Sequence, residues 1–169
     1  MITARDGRAI LAPDGGVPPI APWHTAGGRF MAGTNPYIEP AEYQAAQEPY
    51  QITFIHDGEE TVVTVNPSDI PFGRTGLPGS ILDICEGNHL ELEHTCGGVC
   101  ACSTCHVIVR EGLEACNESS DDELDQLEEA PGLTIFSRLG CQCVPNGTRN
   151  LVVEIPSWNR NAVKETPHE

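Results

Sequence analysis

Four of the chain's eight cysteines lie in one ten-residue stretch, Cys96-Gly97-Gly98-Val99-Cys100-Ala101-Cys102-Ser103-Thr104-Cys105. Small residues separate them, apart from one valine. Thiolates are soft ligands for transition metals, so such a density of thiols predicts a metal site. The other four cysteines are Cys85, Cys116, Cys141 and Cys143.

The spacing within this stretch indicates an iron–sulfur cluster. Cys96, Cys102 and Cys105 give the pattern C-x5-C-x2-C, and a fourth cysteine must then return from further along the chain. Three ligands on a tight loop and one distant ligand are typical of iron–sulfur proteins. The plant-type spacing C-x4-C-x2-C is excluded, because it needs a cysteine where the chain has Gly97.

The small residues of the loop suit an anionic cluster. Four thiolates leave a cluster negatively charged, so backbone N–H groups must point towards it. Gly97 and Gly98 permit backbone angles that other residues avoid, and Ala101, Ser103 and Thr104 lack bulk. We therefore expect the chain to wrap closely around the cluster here.

Two other kinds of site share parts of this pattern. Zinc sites with four cysteines also contain C-x2-C, but they pair two short knuckles, whereas the downstream element here is Cys141-Gln142-Cys143. A thioredoxin-like dithiol at Cys102 and Cys105 would leave the remaining cysteines of the pattern without a role. Alternation places Cys141 and Cys143 on one face of an extended segment, so the residues alone leave both open as the fourth ligand.

The chain is strongly acidic. Its 169 residues suffice for one ordinary domain, and 25 acidic against nine basic residues give a net charge of −16. This charge argues against binding to nucleic acid or to anionic membranes, and it predicts basic partners. We expect no membrane span and no signal or transit peptide, and the free thiols then indicate a reducing compartment, the cytoplasm.

Proline and glycine divide the chain into three parts. Residues 1–50 hold seven of the fourteen prolines and six of the seventeen glycines, which predicts an irregular N-terminal arm. Residues 51–157 are expected to form the metal-binding domain, and residues 158–169 a C-terminal tail.

Short strands and helices are predicted within residues 51–157. Ser80 and Ser120 have the form of helix N-caps, and His56-Asp57-Gly58 between two β-branched runs predicts a hairpin. The predicted strands are 51–55, 61–65, 90–93, 106–109 and 151–155, and the predicted helices run from Ser80 to Gly87 and from Ser120 to Ala130. This order predicts an α+β domain with one mixed sheet.

The cysteine loop, together with Leu139-Gly140-Cys141-Gln142 downstream, resembles that of the adrenodoxin-like 2Fe-2S ferredoxins, especially the bacterial branch associated with iron–sulfur cluster assembly. The resemblance runs from about Gln51 to Pro156. It implies a β-grasp, ubiquitin-like ferredoxin fold and one 2Fe-2S cluster. It assigns the cluster and metal ligands to Cys96, Cys102, Cys105 and Cys141.

The resemblance also implies a soluble one-electron carrier rather than an enzyme, and the sequence shows no substrate-binding motif or activated nucleophile. Electrons would come from an NAD(P)H-dependent ferredoxin reductase and pass to cluster assembly on a scaffold with a cysteine desulfurase. A cytochrome P450 or another oxygenase is an alternative acceptor. A zinc-stabilised interaction domain is the alternative of a different class. We expect a monomer.

The helix predicted from Ser120 to Ala130 has an acidic face. Between Glu111 and Glu129 there are nine acidic residues and no basic one. A helical wheel places Asp121, Asp125, Glu128 and Glu129 on one face and Leu124, Leu127 and Ala130 on the other. We expect the leucines to pack and the carboxylates to face solvent. The resemblance implies that this face docks basic redox partners, with Asp125 and Glu128 at the matching positions, and a merely solvated face is the alternative.

Four further residues, three cysteines and a histidine, lie outside the ligand pattern. Cys85 is predicted to belong to the core, and Cys116 to be a half-buried or surface thiol without a role. Cys100 is predicted to be a spectator thiol or to take part in sulfur chemistry. His106 either couples proton and electron gain near the cluster or orders the local backbone.

Overall fold

The computed structural model describes residues 35, 37–39 and 41–157, so most of the predicted arm and the whole predicted tail lie outside the described residues. In chain order the elements are β1 (Tyr50–His56), β2 (Glu59–Val65), α1 (Ile81–Gly87), β3 (His106–Glu111), α2 (Asp121–Leu127), β4 (Ser137–Leu139) and β5 (Leu151–Ile155). Two short 3-10 turns, Pro67–Asp69 and Leu113–Ala115, lie between them. No helix in this part of the chain is long and apolar enough to cross a membrane.

The five strands form one mixed sheet in the order β2-β1-β5-β3-β4. β1 and β2 pair as an antiparallel hairpin, closed by Asp57 and Gly58 with φ of +52° and +82°. Positive φ at both turn residues is what an Asp-Gly turn favours, so the predicted hairpin is confirmed. β5 lies parallel to β1, with Leu151 opposite Ile52, and antiparallel to β3. The predicted α+β class with the mixed sheet of a β-grasp fold is confirmed.

The hydrophobic core includes side chains from both α1 and the sheet. α1 begins as predicted after Ser80, whose Oγ accepts a hydrogen bond from the Asp83 N–H at 3.2 Å. The fully buried side chains of the helix are Ile81, Leu82, Ile84 and Cys85, and they belong to the same core cluster as Ile52 and Phe54 of β1. Each buried side chain of this size contributes about 1.5–3 kcal/mol. This burial, rather than helix length, holds a seven-residue helix in place.

A buried carboxylate fastens the loop between β2 and α1. Asp83 is 1% exposed, and its oxygens accept hydrogen bonds from the N–H groups of Phe72 (3.2 Å), Gly73 (2.7 Å) and Gly79 (2.8 Å). Burial raises the pKa of Asp83, and the three N–H groups oppose that rise. These hydrogen bonds fix the backbone of the β2–α1 loop, which contacts the cysteine loop at Gly76.

The structure differs from the predicted elements in three places. Residues 90–93 do not join the sheet, and their one buried side chain, Leu92, lies against Gly140 instead of a neighbouring strand. The sequence does not predict β4, because three residues with a central arginine carry no apolar alternation. α2 ends at Leu127, earlier than expected, and Leu124 on its expected core face is 49% exposed.

Candidate metal centre

The cysteine loop is irregular and folds tightly, as its composition predicts. Gly97, Gly98 and Cys100 have left-handed backbone, with φ of +76°, +79° and +57°. A Cβ at Gly98 would lie 2.2 Å from the backbone N of Gly76, whereas a Cβ at Gly97 would meet open space. Gly98 is therefore required by the close approach of two loops, and Gly97 by its conformation alone.

The four predicted ligand sulfurs come together as two pairs. Cys96 is hydrogen-bonded to Cys102, and Cys105 to Cys141. Cys105 and Cys141 are fully buried, and Cys96 and Cys102 are half-buried. Among the described residues, no three Cys, His, Asp or Glu side chains form a group that could hold a single metal ion. Two irons with two cysteines each fit this arrangement of sulfurs.

Hydrogen-bond donors point at these sulfurs, as an anionic cluster requires. Cys102 Sγ accepts from the backbone N–H of Thr104 and lies 3.2 Å from the Thr104 hydroxyl. Cys141 Sγ accepts from the N–H of Cys100 and from Gln142 Nε2 at 3.5 Å. Such donors would offset the negative charge of a cluster bound through these cysteines.

The sulfur pairs are tuned electrostatically. The hydrogen bond from Cys105 lowers the pKa of Cys141 against the effect of burial, while the same bond and burial raise the pKa of Cys105. Burial raises the pKa of Cys102, but hydrogen bonds from Thr104 and Cys96 outweigh it and lower the pKa overall. Iron binds thiolates, so loading a pair must release the protons that its thiols carry, and acid opposes it.

The distant ligand segment is held against the cysteine loop. The Gly140 N–H donates to the Cys105 carbonyl at 2.8 Å, and the Leu77 N–H donates to the Cys141 carbonyl at 2.9 Å. A Cβ at Gly140 would lie 2.7 Å from Leu92 Cδ2 and 3.1 Å from the Cys105 carbonyl oxygen. The glycine before Cys141 therefore permits the approach that pairs Cys141 with Cys105.

Cys100 and Cys143 lie beside this group. Burial and the charge of Cys141 raise the pKa of Cys100 to about 12, and Glu123 of α2 adds to the rise. Cys143, the rival fourth ligand, is fully buried, and its thiol is hydrogen-bonded to Cys116. The structure thus brings Cys141 to Cys105 and Cys143 to Cys116.

The sequence analysis did not predict a buried ion pair that lies next to the segment with Cys141. Arg138 donates from Nε to Glu123 Oε1 at 2.7 Å and from Nη2 to Glu123 Oε2 at 3.0 Å. Arg138 Nη1 also donates to the Asn117 carbonyl at 2.7 Å, and Glu123 Oε1 accepts from the Leu139 N–H at 2.9 Å. Arg138 is 3% and Glu123 1% exposed. The pair joins α2 to β4, the strand that leads into Cys141.

His106 is completely buried between two strands of the sheet. Its Nε2 lies 2.8 Å from Ser137 Oγ, the first residue of β4. Burial lowers the pKa of His106, which keeps the ring neutral at neutral pH. Of its two predicted roles, this contact supports the ordering of the local backbone.

α2 presents an acidic outer surface. The exposed carboxylates are Asp121, Asp125, Glu128 and Glu129, as predicted. Leu127 and Ala130 are buried, but Leu124 lies at the surface. Leu124, Leu133 and Ile135 line a surface groove between α2 and residues 113–119. The acidic surface therefore borders an apolar groove that the helical wheel does not reveal.

Comparison with known proteins identifies the family of this chain. The family described as 2Fe-2S iron-sulfur cluster binding domain matches residues 57–146. A 2Fe-2S ferredoxin of Haemophilus influenzae is 51% identical over 89 residues, which cover 53% of this chain and 78% of that protein. The mitochondrial adrenodoxin homolog of Saccharomyces cerevisiae is 42% identical over 117 residues, or 68% of this chain and 62% of that protein.

A solved structure agrees with these relatives. The ISC-like 2Fe-2S ferredoxin FdxB from Pseudomonas putida superposes with a TM-score of 0.53 at 37% identity, over 63% of this chain and 92% of that one. The chain belongs to the 2Fe-2S ferredoxin family, in its adrenodoxin-like branch. It is therefore an electron carrier with one 2Fe-2S cluster, not an enzyme, and the zinc alternative is wrong.

Proposed function

We propose that this ferredoxin passes electrons from an NAD(P)H-dependent ferredoxin reductase to iron–sulfur cluster assembly. The observation that carries this proposal is the 37% identity to the ISC-like ferredoxin over 92% of that chain. We assign the carrier function to residues 51–157 and expect it in the cytoplasm, where a reducing medium preserves free thiols and metal thiolates. Ala46 and Tyr50 precede these residues but belong to the hydrophobic core, with 5% and 3% of their surface exposed. A fragment that keeps the fold should therefore begin before Ala46.

We further propose that the two sulfur pairs hold one iron each. When bound, the cluster supplies a site that takes up and returns one electron. The Cys105 and Cys141 pair would anchor its inner iron, and the half-buried Cys96 and Cys102 pair its outer iron. Electrons would then enter and leave on the side of Cys96 and Cys102, because these two cysteines are the more exposed pair.

The acidic surface of α2 supports docking of basic partners beside this exit. No basic residue occurs between Glu111 and Glu129, and Arg138 is buried on Glu123, so it does not neutralise the surface. Glu123 of α2 accepts a hydrogen bond from the Leu139 N–H at 2.9 Å, two residues before Cys141, so α2 lies close to the proposed cluster site. A partner on α2 would therefore be within reach of the cluster, and Leu124 would add apolar contact.

The assembly role can be tested by reconstitution. Holoprotein would be combined with ferredoxin reductase, NADPH, a cysteine desulfurase and a scaffold protein, and cluster formation on the scaffold would be followed by its visible spectrum. We expect formation to depend on this ferredoxin and on NADPH. Support of cytochrome P450 turnover, with no transfer to the desulfurase and scaffold, would contradict the assembly role in favour of the oxygenase alternative.

The docking role predicts a specific charge effect. Asp125→Lys with Glu128→Lys should slow electron transfer from the reductase by on the order of tenfold at low ionic strength, because steering is lost, and should flatten its salt dependence. The matched control is Glu59→Lys with Glu60→Lys, exposed on β2 at the other edge of the sheet. Stopped-flow rates would be compared while the visible spectrum is checked. Equal rates for the two double variants would end the docking role.

A further inference from the structure

Cys116 and Cys143, outside the proposed ligand set, lie on neighbouring antiparallel segments. Cys116 pairs with Pro145 in an isolated bridge, and the Asn117 N–H donates to the Val144 carbonyl at 3.2 Å. Alternation along an extended segment places Cys143 on the same face as Pro145, the face of Cys116. The backbone register therefore brings the two thiols side by side.

The two thiols are in contact but differ in access. Cys116 Sγ and Cys143 Sγ are hydrogen-bonded. Cys143 is fully buried, whereas Cys116 is half-buried and lines the surface groove beside α2. The Asn117 side chain locks the segments, since its Oδ1 accepts from the Val144 N–H at 2.8 Å and its Nδ2 donates to the Gln142 carbonyl at 3.1 Å. One sulfur can thus be reached from solvent, and the other is held behind it.

We propose that Cys116 and Cys143 form a dithiol site that a hydroperoxide oxidises to a disulfide, independently of the cluster. Cys116 Sγ attacks a peroxide oxygen and the O–O bond breaks, which leaves a sulfenic acid on Cys116 and releases water or an alcohol. Cys143 Sγ then displaces the hydroxyl, so the S–S bond forms and water leaves. The two thiols lose two electrons and two protons, and these reduce the peroxide.

The surroundings favour reaction at Cys116 over Cys85, a buried thiol outside the proposed ligand set. The hydrogen bond from Cys143 lowers the pKa of Cys116 against the effect of burial, and the nearby Arg138 lowers it further. Thiolate character and access together select the cysteine that a peroxide attacks. Cys85 is fully buried on α1, and burial raises its pKa, which makes it the matched control.

The proposal is tested on the holoprotein with a small molar excess of hydrogen peroxide. We expect the intact mass to fall by two hydrogens and a non-reducing peptide map to link Cys116 to Cys143, while the visible spectrum of the cluster persists. Dithiothreitol should restore both thiols. Cys116→Ser should abolish the link and Cys85→Ala should leave it unchanged.

Three results would overturn the site: sulfinic acid on Cys116 without a link, bleaching before any disulfide forms, or a disulfide that includes a ligand cysteine.

Discussion

Removing one partner of the Glu123–Arg138 ion pair should destabilise the domain strongly. In Arg138→Met the Glu123 carboxylate, 1% exposed, would stay buried without its cation. Breaking a buried ion pair in this way costs about 3–5 kcal/mol. The carboxylate would still accept the hydrogen bond from the Leu139 N–H at 2.9 Å. We therefore expect the free energy of unfolding to fall by about 3 kcal/mol, the lower end of that range.

The double variant separates the attraction of the pair from the penalty of an orphaned charge. Glu123→Leu with Arg138→Met leaves no charge behind, and apolar replacement of a buried pair is often neutral. We therefore expect the double variant to be more stable than either single variant. This non-additivity is the signature of two charges that share one buried site.

Urea unfolding followed by far-UV circular dichroism, with the visible spectrum recorded in parallel, measures these effects. Urea is preferred because guanidinium chloride would screen the charges. The control is Arg149→Met, because Arg149 pairs with Glu114 at the surface, with side chains 62% and 59% exposed, and such pairs are worth about 0–1 kcal/mol. If Arg138→Met cost no more than Arg149→Met, the argument from burial would be refuted.

Two further predictions concern the metal centre. Serine at any of the four proposed ligands should abolish the visible spectrum and lower iron and acid-labile sulfide per chain, because a hard hydroxyl replaces a soft thiolate, whereas Cys85→Ala should keep both. Bleaching in a Cys143 variant with colour kept in the Cys141 variant would shift the assignment by two residues. Gly97→Ala should add only backbone strain of about 1–2 kcal/mol, whereas Gly98→Ala also drives a Cβ into Gly76 and should lose the cluster much faster. Equal rates of cluster loss in the two variants would contradict the proposed loop contact.

Features fixed by near neighbours in the chain could be predicted from the sequence. A serine N-cap acts on an N–H three residues away, as at Ser80 and Ser120, and an Asp-Gly turn sets its own backbone angles. The cysteine loop is similar, because its glycines and its spacing act within ten residues. The choice of Cys141 over Cys143 as the fourth ligand depends on contacts over a longer stretch, and only the family resemblance supplied it.

Features set by distant parts of the chain could not be predicted in this way. Glu123 fits the third position of a capping box, yet its carboxylate bonds Arg138, fifteen residues away in the chain. Residues 90–93 alternate like a strand because Leu92 needs a buried place, and the packing against Gly140 meets that need without a strand partner. Periodicity predicts which side chains are buried, but it does not predict which residues they pack against.

The carboxylates of α2 show how folding and function divide one acidic segment. The fold uses Glu123, which is buried on Arg138, and Asp121 lies in the first turn, where the helix dipole favours negative charge. Asp125 and Glu128 lie in the last turn or at the C-cap, where the dipole and their mutual repulsion oppose them by roughly a few tenths of a kcal/mol each. Leu124 is exposed beside them, so it too contributes little to the core. A surface that costs the helix stability and leaves a leucine in water is best explained by contact with a partner, which is the docking role proposed for it.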